Sequence, residues 1–255
     1  MNGNDDLKIA YHPSGEKITF HEEAHMYETD KCKDFTSCTT FISEYFEDFD
    51  TETVSARYAK KHGMKQADVI SMWDEKKDKA CHLGTRVHYY CEMSMEDLEL
   101  PIAENDDEHD LFRVGEAAVS RLKAKYDFVG TEEIVYSNKF KIAGMIDLLM
   151  RDPINGDLLI LDWKTNKKIT TENRWQSGLG PIKHLEDTAF NHYSLQLSLY
   201  KRLMEEEGYF DKVGDIRLGL IHLTHEKPVW IKIHALDYEM DLMLKEHLEQ
   251  ITSAV

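Results

Sequence analysis

No stretch of about 18 consecutive apolar residues occurs in the chain, which leaves no segment able to span a bilayer as a helix. Positive charge is scarce: 31 Lys and Arg stand against 48 Asp and Glu, a formal net charge of −17. That balance excludes a protein that coats nucleic acid through bulk charge, because such binding rests on Lys and Arg. It leaves room for an enzyme with a local basic groove. Cysteine is limited to Cys32, Cys38, Cys81 and Cys91, whose spacing matches neither CxxC pairs nor a small secreted disulfide framework. All four are expected as free thiols in a reducing compartment, and no Cys/His spacing suggests zinc. The opening residues MNGNDDLK lack the basic flank and apolar stretch of a secretory signal and the Arg-rich character of a transit peptide. No internal repeat or low-complexity tract is found. What is present, 42% hydrophobic and 10% aromatic residues in a chain of 255, suffices for a packed core and excludes disorder as the main state. The expectation is a soluble cytoplasmic protein, not secreted and with no membrane partner. Its length suits one large domain or a core with a smaller lobe.

The charge is unevenly spread. Residues 92–110 hold nine acidic side chains and no Lys or Arg, and read as a solvated loop after a helix. Before them, near-alternating Ile18, Phe20 and Tyr27 around the Pro13-Ser14-Gly15 turn predict short strands. DFTSCTTFISEYF reads as a capped helix start, and residues 53–96 as mostly helical. Leu111, Val114, Ala118 and Leu122 place another helix over 105–127. The texture then turns to strand at 134–137, 140–150 and 158–163, the last two joined by RDPINGD with its strong turn formers. A polar stretch at 167–187 precedes a helix over 189–207, two strands around HEKP, and a closing helix over 236–252. This order predicts an α/β or α+β fold around a mixed sheet.

The chemistry gathers at Asp147, Asp162 and Lys164. Asp162 and Lys164 are two apart in an apolar strand, so both leave one face of the sheet. Counting back from a turn centred near Asn155 puts Asp147 and Asp162 roughly level, within cross-strand reach of each other. Two readings fit that spacing. One is a structural Asp–Lys ion pair with Asp147 solvated nearby. The other is a divalent-cation site, since two facing carboxylates repel and hard oxygen ligands suit Mg²⁺ or Mn²⁺. In the second, the lysine orients or deprotonates a water, or stabilises charge on a phosphate, as phosphodiester hydrolysis requires.

GMIDLLM followed by LILDWKT resembles the signature of the PD-(D/E)XK nuclease superfamily, and its RecB-like branch in particular. GTRVHYYCE upstream, with His88, and YSLQLSLYKRLM downstream, with Gln196 and Tyr200, complete the branch's motif set in order over residues 84–204. The resemblance implies a restriction-endonuclease-like α/β core, its mixed central sheet flanked by helices, over 76–255. A β/helical lobe over 1–75 would precede it, and an insertion loop would occupy 166–187. It further implies that Asp147, Asp162, His88 and the Trp163 backbone carbonyl bind one or two Mg²⁺ or Mn²⁺ ions, and that Lys164 is the catalytic lysine. Gln196 and Tyr200 would contact the site or DNA. Glu92, one turn after His88, orients the imidazole, binds a second ion through water, or begins the acidic run. Glu133 resembles an acidic residue of the first core strand, with Glu132 beside it as the rival assignment. Tyr193 is assigned to packing.

Lys139, Lys141, Lys164, Lys167 and Lys168 cluster around the expected site, and six further lysines between 60 and 79 lie in the helical lobe. They form either a solvated face or a positive channel for DNA. Trp175, beside Arg174 in the long loop, stacks on an unpaired base or anchors the loop. No cysteine follows the Asp147 motif, so an iron–sulfur cluster of the RecB-like type is not expected. No GxxxxGK[ST] helicase loop occurs. These features match the cluster-free, stand-alone members: phage recombination and repair exonucleases and mitochondrial genome maintenance exonucleases. The expected function is a metal-dependent deoxyribonuclease, an exonuclease on DNA ends or single strands in recombination, repair or replication, in a bacterial or phage-infected cell. The expected partners are DNA and a recombination, helicase or single-strand-binding protein. The alternatives are a non-cleaving DNA-end-binding or adaptor subunit with the same fold, and a hydrolase of small phosphoesters.

Overall fold

The computed structural model describes residues 7–22, 24–210 and 214–253; the opening residues expected to carry no signal lie outside the described residues. Strands β1 (Leu7–Tyr11), β2 (Lys17–His21) and β3 (Met26–Thr29) form an antiparallel sheet in that order. The alternation that predicts them buries Ile18, Phe20 and Tyr27 against Ile134, Tyr136 and Ala143 of the main sheet. A two-residue strand absent from the sequence reading, β4 (Thr36–Ser37), leads into α1 (Cys38–Ser43), where the Ser37 hydroxyl accepts the Thr40 N–H at 3.0 Å.

The helical stretch divides into α2 (Thr51–His62) and α3 (Gln66–Met95), parted at Gly63, whose φ of 67° ends α2. Helix α3 runs unbroken through residues 75 and 76, where the sequence places the end of the lobe. The acidic run is a loop only between Met95 and Asp106, its two ends lying in α3 and in helix α4 (Asp106–Lys123), which occupies the stretch expected to be helical. Asp106, Asp107 and Glu108 occupy its first turn, where the helix dipole favours negative charge. Glu108 is fully buried and accepts from Arg86 and from the Glu104 N–H. Burial raises its pKa, but that backbone N–H and the guanidinium together outweigh burial and hold it below the usual value.

The main sheet comprises β4, β5 (Asp127–Ser137), β6 (Ile142–Arg151), β7 (Leu158–Lys164), β8 (Ile216–Leu223) and β9 (Pro228–Ile233). The order is β4-β6-β7-β8-β9, with β5 on the other edge of β6. Strand β5 starts seven residues before the predicted 134, because its polar first half is held by pairing with β6 rather than by its own apolar pattern. Helices α5 (Ala189–Glu207) and α6 (Asp237–Ser253) pack with α1 over one layer of apolar side chains, which includes Leu149, Leu158 and Ile160. The C-terminal half of α3 and α4 cover another, which includes Leu148, Leu159, Leu161 and Trp163. Burying each such large side chain contributes about 1.5–3 kcal/mol. The mixed sheet flanked by helices has the architecture expected of a PD-(D/E)XK core.

One irregularity positions the site. Along one edge β6 pairs with β5 from Ile142 to Ile146 and from Leu148 to Arg151. Along the other it pairs with β4 only at Ile142 and Ala143, and with β7 only from Leu148 to Arg151. Residues 144–147 thus have no ladder partner on that edge among the described residues, and the sheet opens there.

Candidate active site

The β6–β7 turn closes through the Asp152 N–H to the Asp157 carbonyl at 2.8 Å, with Gly156 at φ 77° supplying the left-handed corner. That local turn fixes the register: Leu148 faces Leu161 and Leu149 faces Ile160. Continued by one step, it sets Asp147 level with Asp162. The ladder has ended by then, and Asp147 Oδ2 instead accepts the Trp163 N–H at 3.0 Å. Helix α3 brings His88 Nδ1 to 3.3 Å from the same oxygen. On β7, Lys164 Nζ stands 2.5 Å from Asp162 Oδ2. That contact is a close ion pair, and the ammonium is the partner of this buried carboxylate oxygen.

Helix α5 forms the adjoining wall. Thr188 caps it by accepting the Asn191 N–H, and Tyr193, Gln196 and Tyr200 recur on one stripe at i, i+3 and i+7. Gln196 Nε2 donates to the Tyr200 hydroxyl at 2.8 Å. The Lys164 ammonium sits 4.4 Å from the Tyr193 ring centroid, and the Tyr193 hydroxyl donates to Asn166 Oδ1 at 2.9 Å. Tyr193, assigned to packing from the sequence, therefore touches the lysine; its place on the Gln196/Tyr200 stripe was the available signal.

Gly144 lets α1 and α5 approach the open edge of β6. A Cβ there would lie 2.6 Å from Cys38 Sγ and 2.7 Å from Tyr200 Cε1. Gly144→Ala is expected to cost about 1–3 kcal/mol through overpacking and to displace the Tyr200 ring. A lowered melting temperature together with reduced nuclease activity checks this. An unchanged melting curve would contradict the packing.

Burial, and then the neighbouring Asp162, push the Asp147 carboxyl well above the usual carboxylate range. Burial pulls Lys164 down, but Asp162 and Asp147 outweigh it and hold the ammonium above its ordinary value. Burial pushes the His88 imidazole down to about 4, which leaves it neutral and able to ligate at neutral pH. One buried carboxylate, one half-buried carboxylate and a neutral imidazole drawn together fit a divalent cation. Its charge would relieve the repulsion that otherwise raises Asp147.

Other predicted residues stand apart from this group. Glu92 lies near Lys8, Glu132, Glu96 and Glu22, and burial raises its pKa; no contact joins it to His88. Of the adjacent acids it is Glu132 whose charge reaches Asp147, and it forms an ion pair with Lys8 at 3.1 Å. Glu132 falls between the pairs Thr131–Leu148 and Glu133–Ile146, level with Asp147, and has φ 51°. That conformation costs a non-glycine residue about 1–3 kcal/mol. Glu133 instead folds back over Gly130. Lys167 lines a groove beyond the end of β7. Arg174 pairs with Glu172, and Trp175 is 94% exposed; no contact joins either to the acids. A second set of ligand-type atoms, on His82, Glu104 and Glu108, lies within 4.8 Å of one another. This spacing suits an ion, but Arg86 already neutralises Glu108.

The family model of the PD-(D/E)XK nuclease superfamily matches residues 107–254, more than half of the chain, and the protein belongs to that superfamily. Asp147, Asp162, Lys164, Gln196 and Tyr200 fall inside the match, and His88 precedes it. Members use divalent metals and act on DNA. Among solved structures, a candidate exonuclease from Eubacterium rectale is similar over 86% of this chain and 79% of its own, at 11% identity and a TM-score of 0.36. The crystal structure of SSO0001 is similar over 66% of this chain and 74% of its own, at 15% identity and a TM-score of 0.28. No curated protein matches the sequence. No described helix is long and apolar enough to cross a membrane.

Proposed function

We propose that the protein is a Mg²⁺- or Mn²⁺-dependent deoxyribonuclease of the RecB-like branch, an exonuclease acting on DNA ends or single strands. The observation that carries this reading is the convergence of His88, Asp147, Asp162 and Lys164 at the open edge of β6. Asp147, Asp162, His88 and the Trp163 carbonyl would hold the ion, which when bound lowers the pKa of a water and offsets phosphate charge. The chain's own groups do the rest. The Trp163 N–H fixes the Asp147 carboxylate. Lys164, kept as an ammonium by both acids and braced by the Tyr193 ring, presents N–H donors to the attacking water and to the phosphate as its charge grows. Because it is held protonated, orienting water and stabilising charge suit it better than taking the proton itself. Gln196 and Tyr200 support the site's wall from α5. The chain's acidity suits a substrate admitted at a local groove rather than bound broadly.

The test is a time course on end-labelled linear and covalently closed DNA, single- and double-stranded, with Mg²⁺, Mn²⁺ or EDTA. Loss of linear substrates alone, and only with metal, is expected. Cut circles would replace the exonuclease reading with an endonuclease. DNA bound but never cut would leave the adaptor reading in its place.

A further inference from the structure

Helix α3 contains an unusual segment. Its first turns pack on α2, where Gln66 Nε2 donates to the Glu52 carbonyl at 3.0 Å and to Ser55 Oγ at 3.1 Å, and its last turns pack on α4 and the main sheet. Between these anchors every residue from 74 to 82 is exposed. A helix exposed around its whole circumference has no face stabilised by a core, so it acts as a bridge between the bodies at its ends. Below it runs a groove of about 1550 Å³, lined by Lys76, Lys77 and Lys79 of the bridge, by Phe49 and Trp73 at its near end, and by Lys167 opposite. That volume exceeds the roughly 300–1,000 Å³ typical of small-ligand pockets.

Three features identify the occupant. The first is charge. Residues 51–82 carry seven Lys and Arg against five Asp and Glu, in a chain whose net charge is −17. Asp74, Asp78, Asp107 and the buried Glu108 also line the groove and match the four lysines in number, yet Glu108 is paired with Arg86, while Lys76, Lys77, Lys79 and Lys167 form no ion pair among the described residues and are free to meet phosphate. The second is aromatic surface. Phe49 is 63% exposed, its ring 6.0 Å from that of half-buried Trp73, which also meets Tyr58 at 5.7 Å. Exposed rings beside lysines form a stacking platform for bases, and only an unpaired strand offers base faces to it. The third is continuity. The groove reaches Thr165, Asn166 and Lys167, the residues that follow Lys164 directly. Helix α3 itself continues to His88, about 22 Å beyond Trp73 at 1.5 Å per residue. That distance equals about six stacked nucleotides at 3.4 Å each.

We infer that the groove beneath the α3 bridge is the track for an unpaired DNA strand, with Trp73 and Phe49 stacking on bases, Lys76, Lys77 and Lys79 contacting phosphates, and the strand leading to the Asp147–Asp162–Lys164 site. The assignment deepens the nuclease reading and rests on it. It is tested on the full chain by fluorescence anisotropy with labelled oligothymidylate and with blunt duplex in EDTA, and by cleavage of both with Mn²⁺. Trp73→Ala and Phe49→Ala are each expected to weaken single-strand binding roughly tenfold, with duplex binding unchanged. The triple variant Lys76→Ala/Lys77→Ala/Lys79→Ala is expected to reduce the salt slope of single-strand binding by about 2. Phe49 and the three lysines are exposed, so those variants should keep the wild-type melting temperature; half-buried Trp73 packs on Tyr58, so its variant is read well below its own melting temperature. Wild-type binding and cleavage of single strands by both sets of variants would overturn the track and leave the nuclease reading standing. If wild type cuts no DNA, the nuclease reading fails separately; a loss of single-strand binding confined to the variants would then still support the track, and unchanged binding would overturn it.

Discussion

Asp162→Asn is expected to abolish metal-dependent DNA cleavage, by about 10³-fold or more, in a protein that still folds. Losing even an outer partner of a metal ligand typically costs about 10–100-fold, and Asp162 is placed as a ligand itself. Its side chain is 4% exposed, level with Asp147 and ion-paired with Lys164. The amide keeps the shape but removes the charge. Cleavage alone would not separate a ligand from a structural residue, so melting temperature is read alongside. Metal at about 100 times its dissociation constant stabilises the native state by about 2.7 kcal/mol, a rise of roughly 5 °C for a chain of this size. Wild type should show this rise with Mn²⁺ and Asp162→Asn should not. A variant that still cuts DNA and still gains the rise would sink the assignment.

Lys164→Met should separate the two roles. The methionine keeps the length of the apolar stem beside Tyr193 but removes the ammonium, which stabilises charge and is not itself a ligand. Cleavage is expected to fall about 10²–10³-fold, as when one preorganised electrostatic donor is removed, while the Mn²⁺-induced melting rise is retained. Cleavage within tenfold of wild type would exclude Lys164 from the reaction. Loss of the melting rise together with cleavage would instead mean that the ammonium serves chiefly to hold Asp147 and Asp162 in place.

Much of the local structure was legible in the sequence because short-range chemistry specifies it. Pro153, Asn155 and Gly156 mark a turn between the two strands, and the connection 152–157, closed by the Asp152 N–H to the Asp157 carbonyl, fixes the register that sets Asp147 level with Asp162. Thr188 and Gly208 bound α5 at the predicted residues, since a capping hydroxyl and a left-handed glycine act within one turn. The motif order linked His88 and the α5 pair to those acids. The choice between Glu132 and Glu133 was not legible, because it depends on a left-handed backbone at Glu132 that strict alternation along a strand does not anticipate. Nor was the burial of Glu108, which depends on Arg86 reaching it from another helix.

The sequence by itself determined most of the elements, the β6–β7 hairpin and the kinds of residue available for metal and phosphate chemistry, because these follow from neighbours within a few residues. Only the tertiary structure decided where the chemistry could occur. The short β4 takes one end of the β6 edge and β7 the other, which opens the sheet at residues 144–147. Gly144 then admits Cys38 and Tyr200, and α3 carries His88 in after crossing a groove with no packed face of its own. Each of these depends on contacts between segments far apart in the chain, whose geometry is fixed by packing and loop closure rather than by local propensity.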